Sequence, residues 1–108
     1  MYDKSRKLRY LPLFYEDLKD TIDYIAHDLK NPQAAENLLN EVETAILKRL
    51  PIEDSFEPYP SLKDRENLYY RIYVGNYVIY YVLLNENDTN FMEVRRFLYK
   101  GRNRKLLI

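Results

Sequence analysis

The stretch FMEVRRFLYKGRNRKLLI, residues 91–108, holds Arg95, Arg96, Lys100, Arg102, Arg104 and Lys105, with no acid after Glu93. Arginine is charged at any physiological pH and presents a planar fork that grips phosphate oxygens in pairs. Arg96 and Arg102, with Arg71 upstream, are therefore candidates for stabilising charge on a phosphoryl group. Tyr99 stands inside the basic run, and a phenol can donate a proton or stack on a base. With an ordinary pKa of about 10 it is a poor base unless neighbouring cations lower that value.

Other chemistry is thinly equipped. The chain has one histidine, His27, among residues assigned to a helix surface, and no partners at ligand spacing, so no metal site is expected. Cysteine is absent, which excludes disulfides and thiolate ligands and fits a reducing compartment. Gly75 and Gly101 are the only glycines, too few for a phosphate-cradling loop, and no cofactor is implied. No Ser or Cys nucleophile system is present.

At 108 residues and 46% hydrophobic content the chain reads as a single domain, residues 1–108, with one modest core. Its net charge of zero conceals a polarity: residues 16–57 hold 11 acids against Lys19, Lys30, Lys48 and Arg49, and the C-terminal run is basic. No apolar run near the start is long enough for a signal peptide or a membrane span, so the expected location is the cytoplasm.

The elements that must carry these residues follow from periodicity. Phe14, Leu18, Ile22, Ile25, Ala26 and Leu29 recur at helical spacing and predict a helix over 14–29. Asn31-Pro32 ends it and starts another, Asn as N-cap and Pro at the first helical position, running to about Leu50. The very short link predicts an antiparallel hairpin of helices. Residues 51–67, with three of the chain's prolines, read as a loop. LYYRIYV and YVIYYVLL flank Gly75-Asn76 and predict a β-hairpin over 68–84, and NENDTN turns the chain into FMEVRRFLY. A short strand around Lys7 to Leu11 completes the expectation: an α+β fold, an antiparallel sheet of about four strands with an N-terminal two-helix hairpin on one face and the other face partly open. Alternation puts Tyr70, Ile72 and Val74 on one face and Tyr69, Arg71 and Tyr73 on the other. In the last strand it groups Met92, Val94, Arg96 and Leu98 against Phe91, Glu93, Arg95 and Phe97, which buries an arginine either way and predicts a bulge near Arg95-Arg96.

Over nearly its whole length, Lys7 to Arg104, the chain resembles toxins of the RelE/ParE superfamily of type II toxin-antitoxin modules. The likeness lies in Asp17-Leu18, Ile22, Tyr24-Ile25-Ala26 and Leu29, then Asn31-Pro32, Ala35, Leu38 and Leu50-Pro51. It continues in Tyr70-Arg71, in Tyr77 through Tyr80, and in VRRFLYKGRN. The resemblance implies a working surface on the sheet near the C-terminus, and a cognate antitoxin that covers it.

It also implies one of two targets. RelE-type members cut mRNA in the ribosomal A site; ParE-type members inhibit DNA gyrase by binding, without hydrolytic chemistry. Under the leading, RelE-like reading the chain is a metal-independent, ribosome-dependent endoribonuclease. Arg71, Arg96 and Arg102 then hold the scissile phosphate, Tyr99 donates a proton or stacks, and Lys63, Arg65, Tyr77, Lys100, Arg104 and Lys105 bind RNA. Two positions depart from the RelE-type pattern: Arg71 stands alone where a basic cluster is usual, and Tyr77 occupies a position that is often Arg. Structural roles compete for the same residues: Arg71 could pair with Glu93, Arg96 could tie the C-terminus to an acidic helix, and Tyr77 and Tyr99 could pack.

Overall fold

The structure, a computed structural model, describes residues 6–52, 58–60 and 67–101. Strand β1 (Lys7–Tyr10) leads into helix α1 (Pro12–Asp23), which is followed by α2 (Pro32–Arg49), β2 (Tyr59–Pro60), β3 (Leu68–Val74), β4 (Tyr77–Glu86) and β5 (Thr89–Tyr99). The five strands form one sheet in the order β1-β5-β4-β3-β2.

Both helices start as their residues dictate. Leu11 is extended and Pro12 opens α1, where a missing N–H costs nothing. Asn31 caps α2, its side-chain oxygen accepting from the Ala34 N–H at 3.1 Å, with Pro32 next. The expected single helix over 14–29 is interrupted: after Asp23 the chain makes a π-helical turn, Tyr24–Asp28, and the Leu29 N–H bonds back to the Tyr24 carbonyl at 3.1 Å. The wider turn leaves Ile25 and Ala26 half-buried and Leu29 exposed. Lys30 then takes a left-handed φ of 52°, which reverses the chain into α2.

The sheet meets the α+β expectation with two differences. β1 lies parallel to β5, with Lys7 opposite Phe91 and Tyr10 opposite Val94, so the sheet is mixed. Hairpin turns force antiparallel neighbours, but no turn joins the first strand to the last, and its direction is set by where α1 must begin. Within the segment read as a loop, Tyr59–Pro60 pairs with Leu68 and Tyr69 as an edge strand, where a proline's absent N–H is tolerated. The hairpins close on tight turns: Gly75 has φ 55°, and Asn87 and Asp88 have φ 51° and 63°, the two positive angles of a type I′ turn.

The bulge falls where expected. Tyr80 faces Arg96 but Tyr81 faces Val94, leaving Arg95 as the extra residue of β5. The face grouping for β5 therefore holds up to Val94 and reverses beyond it. Met92, Val94 and Phe97 all join the core under the helices, with Phe14, Val42 and Ile46, and Leu98 turns to the opposite face. That opposite face is not open along its centre: Val78, Tyr80 and Val82 are 0% exposed and Leu98 1%.

At the bulge the two arginines part. Arg96 reaches α1, where its Nε and Nη2 donate to both carboxylate oxygens of Asp17 at 2.7 and 2.9 Å, and the Phe97 N–H donates to the same carboxylate at 3.0 Å. Both side chains are nearly buried, at 12% and 11% exposure. Removing one partner of such a pair strands the other charge away from water. Asp17→Ala should thus lower unfolding free energy by about 3 kcal/mol, seen as a lower urea midpoint, whereas the apolar double replacement Asp17→Leu with Arg96→Met should lose much less.

Candidate functional site

The end of β5 builds an aromatic surface from the core outward. Phe97 meets Phe14 edge-on at 6.4 Å, Tyr77 stacks on Phe97 at 4.9 Å, and Tyr99, directly opposite Tyr77 in the register, meets it edge-on at 5.9 Å. Exposure rises along the same series: Phe97 is buried, Tyr77 intermediate and Tyr99 51% exposed. The strand exit is fixed by the Lys100 N–H, which donates to the Asn76 carbonyl in the neighbouring hairpin turn at 2.9 Å. Gly101 follows for a steric reason. A Cβ there would sit 2.6 Å from the Tyr99 ring, so only glycine leaves the ring where it is.

The other expected site residues are dispersed. Arg71 is on β3 in alternation with Tyr70, Ile72 and Val74, which face the helices, so its side chain is on the opposite face from Tyr77 and Tyr99. There its guanidinium carbon is 5.9 Å from the ring of Tyr73, while its carbonyl accepts from Arg49 at 3.0 Å. Arg96 is engaged by Asp17, the structural tie to the acidic helix. Arg102, Lys63, Arg65, Arg104 and Lys105 lie outside the described residues. His27 is exposed on the π-helical turn, and the described residues contain no group of His, Cys, Asp or Glu able to hold a metal. Among them, no helix is long and apolar enough to cross a membrane.

One network escaped the sequence. Glu93, 4% exposed, accepts from Arg9 Nε and from Arg95 Nε, each at 2.7 Å, and Arg95 also donates to the Tyr69 hydroxyl at 3.0 Å. Arg9 continues to Glu86 at 2.8 and 3.0 Å and lies over the Phe91 ring at 4.3 Å. Its pKa is raised by the hydrogen bonds to Glu86 and then Glu93, and Glu86's is lowered by Arg9 in return. Glu93 is therefore shared by Arg9 and Arg95. The sequence offered Arg71 as a partner for Glu93 and set Arg95 on the same face; the structure gives it Arg9 and Arg95, and the parallel pairing of β1 that supplies Arg9 carries no turn to announce it.

A second surface lies on the helices. Tyr15 and Leu18 of α1 and Leu39 and Leu47 of α2 border an apolar groove of about 230 Å³, floored by Phe14 and Ile46 and edged by Tyr10 and Glu43. It continues along α1 to Ile22. Tyr15, Leu39 and Leu47 are 54%, 43% and 51% exposed, more apolar surface than a solvated helix face needs.

Chemically, Tyr77 is a donor. The pKa of Tyr77 is raised, first by burial and then by Tyr99 and Tyr24, so its phenol stays protonated at neutral pH and cannot act as a base there. Because the folded state favours the protonated phenol, this stability is complete below the ordinary value of about 10 and is lost as pH rises through the folded-state value. Unfolding free energy should therefore fall as pH rises through that alkaline window, and fall less in Tyr77→Phe, as denaturant titrations at successive pH values would show.

The family model described as ParE toxin of type II toxin-antitoxin system, parDE, matches residues 8–104. A solved structure of the chromosomal ParDE TA system from P. aeruginosa is similar with a TM-score of 0.70 over 90% of this chain and 98% of that one. At 10% identity that likeness is one of fold. Among curated proteins none matches.

Proposed function

The chain belongs to the family of ParE toxins of type II toxin-antitoxin systems, and we propose that it arrests growth by binding DNA gyrase through the C-terminal end of its sheet, without hydrolytic chemistry. The proposed target implies that it acts in the cytoplasm. The observation that carries this reading is the engagement of Arg96 by Asp17. A nearly buried carboxylate on Nε and Nη2 balances the charge of Arg96 and fixes its guanidinium against α1, which favours a structural role over holding a scissile phosphate. The separation of Arg71 from Tyr99 across the sheet supports the same view, since charge stabilisation and proton transfer need their groups within reach of one reacting centre. A raised phenol pKa at Tyr77 adds to it.

The expectation that the antitoxin covers the sheet surface near the C-terminus is replaced here: we place the cognate antitoxin in the apolar groove between α1 and α2. An unstructured segment that orders on binding would cover Tyr15, Leu39 and Leu47 and bury large area for a small partner.

One observation favours the second reading, ribosome-dependent mRNA cleavage: Tyr99 is half-exposed beside an exposed Lys100 at the strand end. Two assays on the purified full chain separate the readings. We expect inhibition of gyrase supercoiling that is retained in Tyr99→Phe and lost when residues 102–108 are removed, with intact reporter mRNA in a translation reaction. Codon-phased cuts that require ribosomes, with supercoiling unaffected, would replace the gyrase reading by the nuclease one.

A further inference from the structure

The groove between the helices contains one residue that its apolar character does not explain. On α2, Leu39, Glu43 and Leu47 are spaced four apart and so form one row along the helix, with the carboxylate at its centre. The two leucines are half-exposed and Glu43 is exposed. Glu43 makes no hydrogen bond or ion pair with any described residue. Its neighbours at three and four positions away on the helix are Asn40, Ile46, Leu39 and Leu47, none of them cationic. Across the groove stand the phenols of Tyr10 and Tyr15. Lys19, a cation on the α1 side of the continuing groove, is 2.7 Å from Asp23, and Arg49 donates to the Arg71 carbonyl and the Tyr81 hydroxyl at 3.0 Å each.

A segment seated in this groove removes water from Glu43. A partner that brings no cation leaves the carboxylate desolvated and unpaired, and one that brings an acid meets direct repulsion; both are disfavoured relative to a partner with a matching positive charge. A second copy of this chain fits poorly, because groove-to-groove pairing about a twofold axis would set Glu43 close to its own symmetry mate in an apolar setting. From Leu39 to Leu47 the row spans about 12 Å at helical rise, the length of roughly two helical turns. Charge complementarity and length thus define the occupant.

We propose that Glu43 is the specificity determinant of the groove, selecting an amphipathic antitoxin segment of about two helical turns that carries a Lys or Arg beside its apolar stripe. This rests on the groove being the antitoxin's seat, and it is independent of which target the toxin attacks. Selection acts by rejection as much as by attraction: antitoxins that place an acid opposite Glu43 are excluded even when their apolar stripes fit.

The test uses the full chain and two labelled helical peptides of equal length, each with leucines at three and four spacing and a single Arg or a single Glu beside the stripe, followed by fluorescence anisotropy. The Arg peptide should bind about tenfold more tightly than the Glu peptide, Glu43→Gln should bring the two together, and Glu43→Arg should invert the order. Leu39→Asp should abolish binding of both. Equal affinities for the two peptides on the unaltered chain, or a preference that survives Glu43→Gln, would overturn the assignment of Glu43 while leaving the groove in place. Binding that ignores Leu39→Asp, no binding by either peptide, or a sedimenting dimer that Leu39→Asp dissolves would overturn the groove as the seat, and the assignment with it. Glu43 and Leu39 are both exposed, so these variants should keep the fold, which circular dichroism checks.

Discussion

The carboxylate of Asp17 joins three parts of the molecule that have no other reason to meet at one point. It accepts from Nε and Nη2 of Arg96 and from the Phe97 N–H, so one acid on α1 holds an arginine and a backbone donor at the bulge of β5. The bulge is what allows Phe97 to join the helix-side core beside Val94, and Phe97 in turn supports Tyr77 and, through it, Tyr99. The register of the last strand, the tilt of the first helix and the display of the terminal tyrosines are therefore coupled through one nearly buried ion pair. Such a pair contributes less net stability than its short distances imply, because both ions were solvated in the unfolded chain. Its larger effect is on geometry, since the alternatives leave a charge stranded.

Charge is distributed by the same logic on the other face. Glu93 is nearly buried, and its two oxygens go to Arg9 on β1 and to Arg95 at the bulge. Adjacent arginines in sequence thus reach acids on different elements, Arg96 to Asp17 of α1 and Arg95 to Glu93 of β5 itself. A run of basic residues that reads as a phosphate-binding surface is, in its first two members, internal wiring. Tyr99, Lys100 and Gly101 remain at the surface, where the structure turns from support to display.

Much of this was legible in local chemistry. Asn31-Pro32 announced the second helix, Gly75-Asn76 and the stretch NENDTN announced the hairpins, and the conflict between Arg95 and Arg96 announced the bulge, because each signal is carried by residues close together in the chain. What was not legible depends on distant partners. Nothing near Lys7 specifies that β1 will lie parallel to a strand more than 80 residues away, and so nothing identified Arg9 as the partner of Glu93. The π-helical turn was hidden because a stripe of Ile22, Ile25 and Ala26 suits either helix type. The candidate site was legible at Tyr77 and Tyr99, which face each other. It was not at Arg71 and Arg96, whose directions follow from strand parity and from the reversal that the bulge imposes.

The placement of β5 also bears on how the chain is made. Although last among the described strands in sequence, it lies between β1 and β4, and both the Asp17 clamp and the Glu93 network close on it. During synthesis the N-terminal helices and the β3–β4 hairpin can form early from local contacts, but the sheet stays divided until residue 99 has left the ribosome. Until then β1 has no neighbour, the helices have half a floor, and the tyrosine surface does not exist. The surface formed by Tyr77 and Tyr99 is thereby withheld from a nascent chain by topology alone until β5 has emerged and found both of its neighbours.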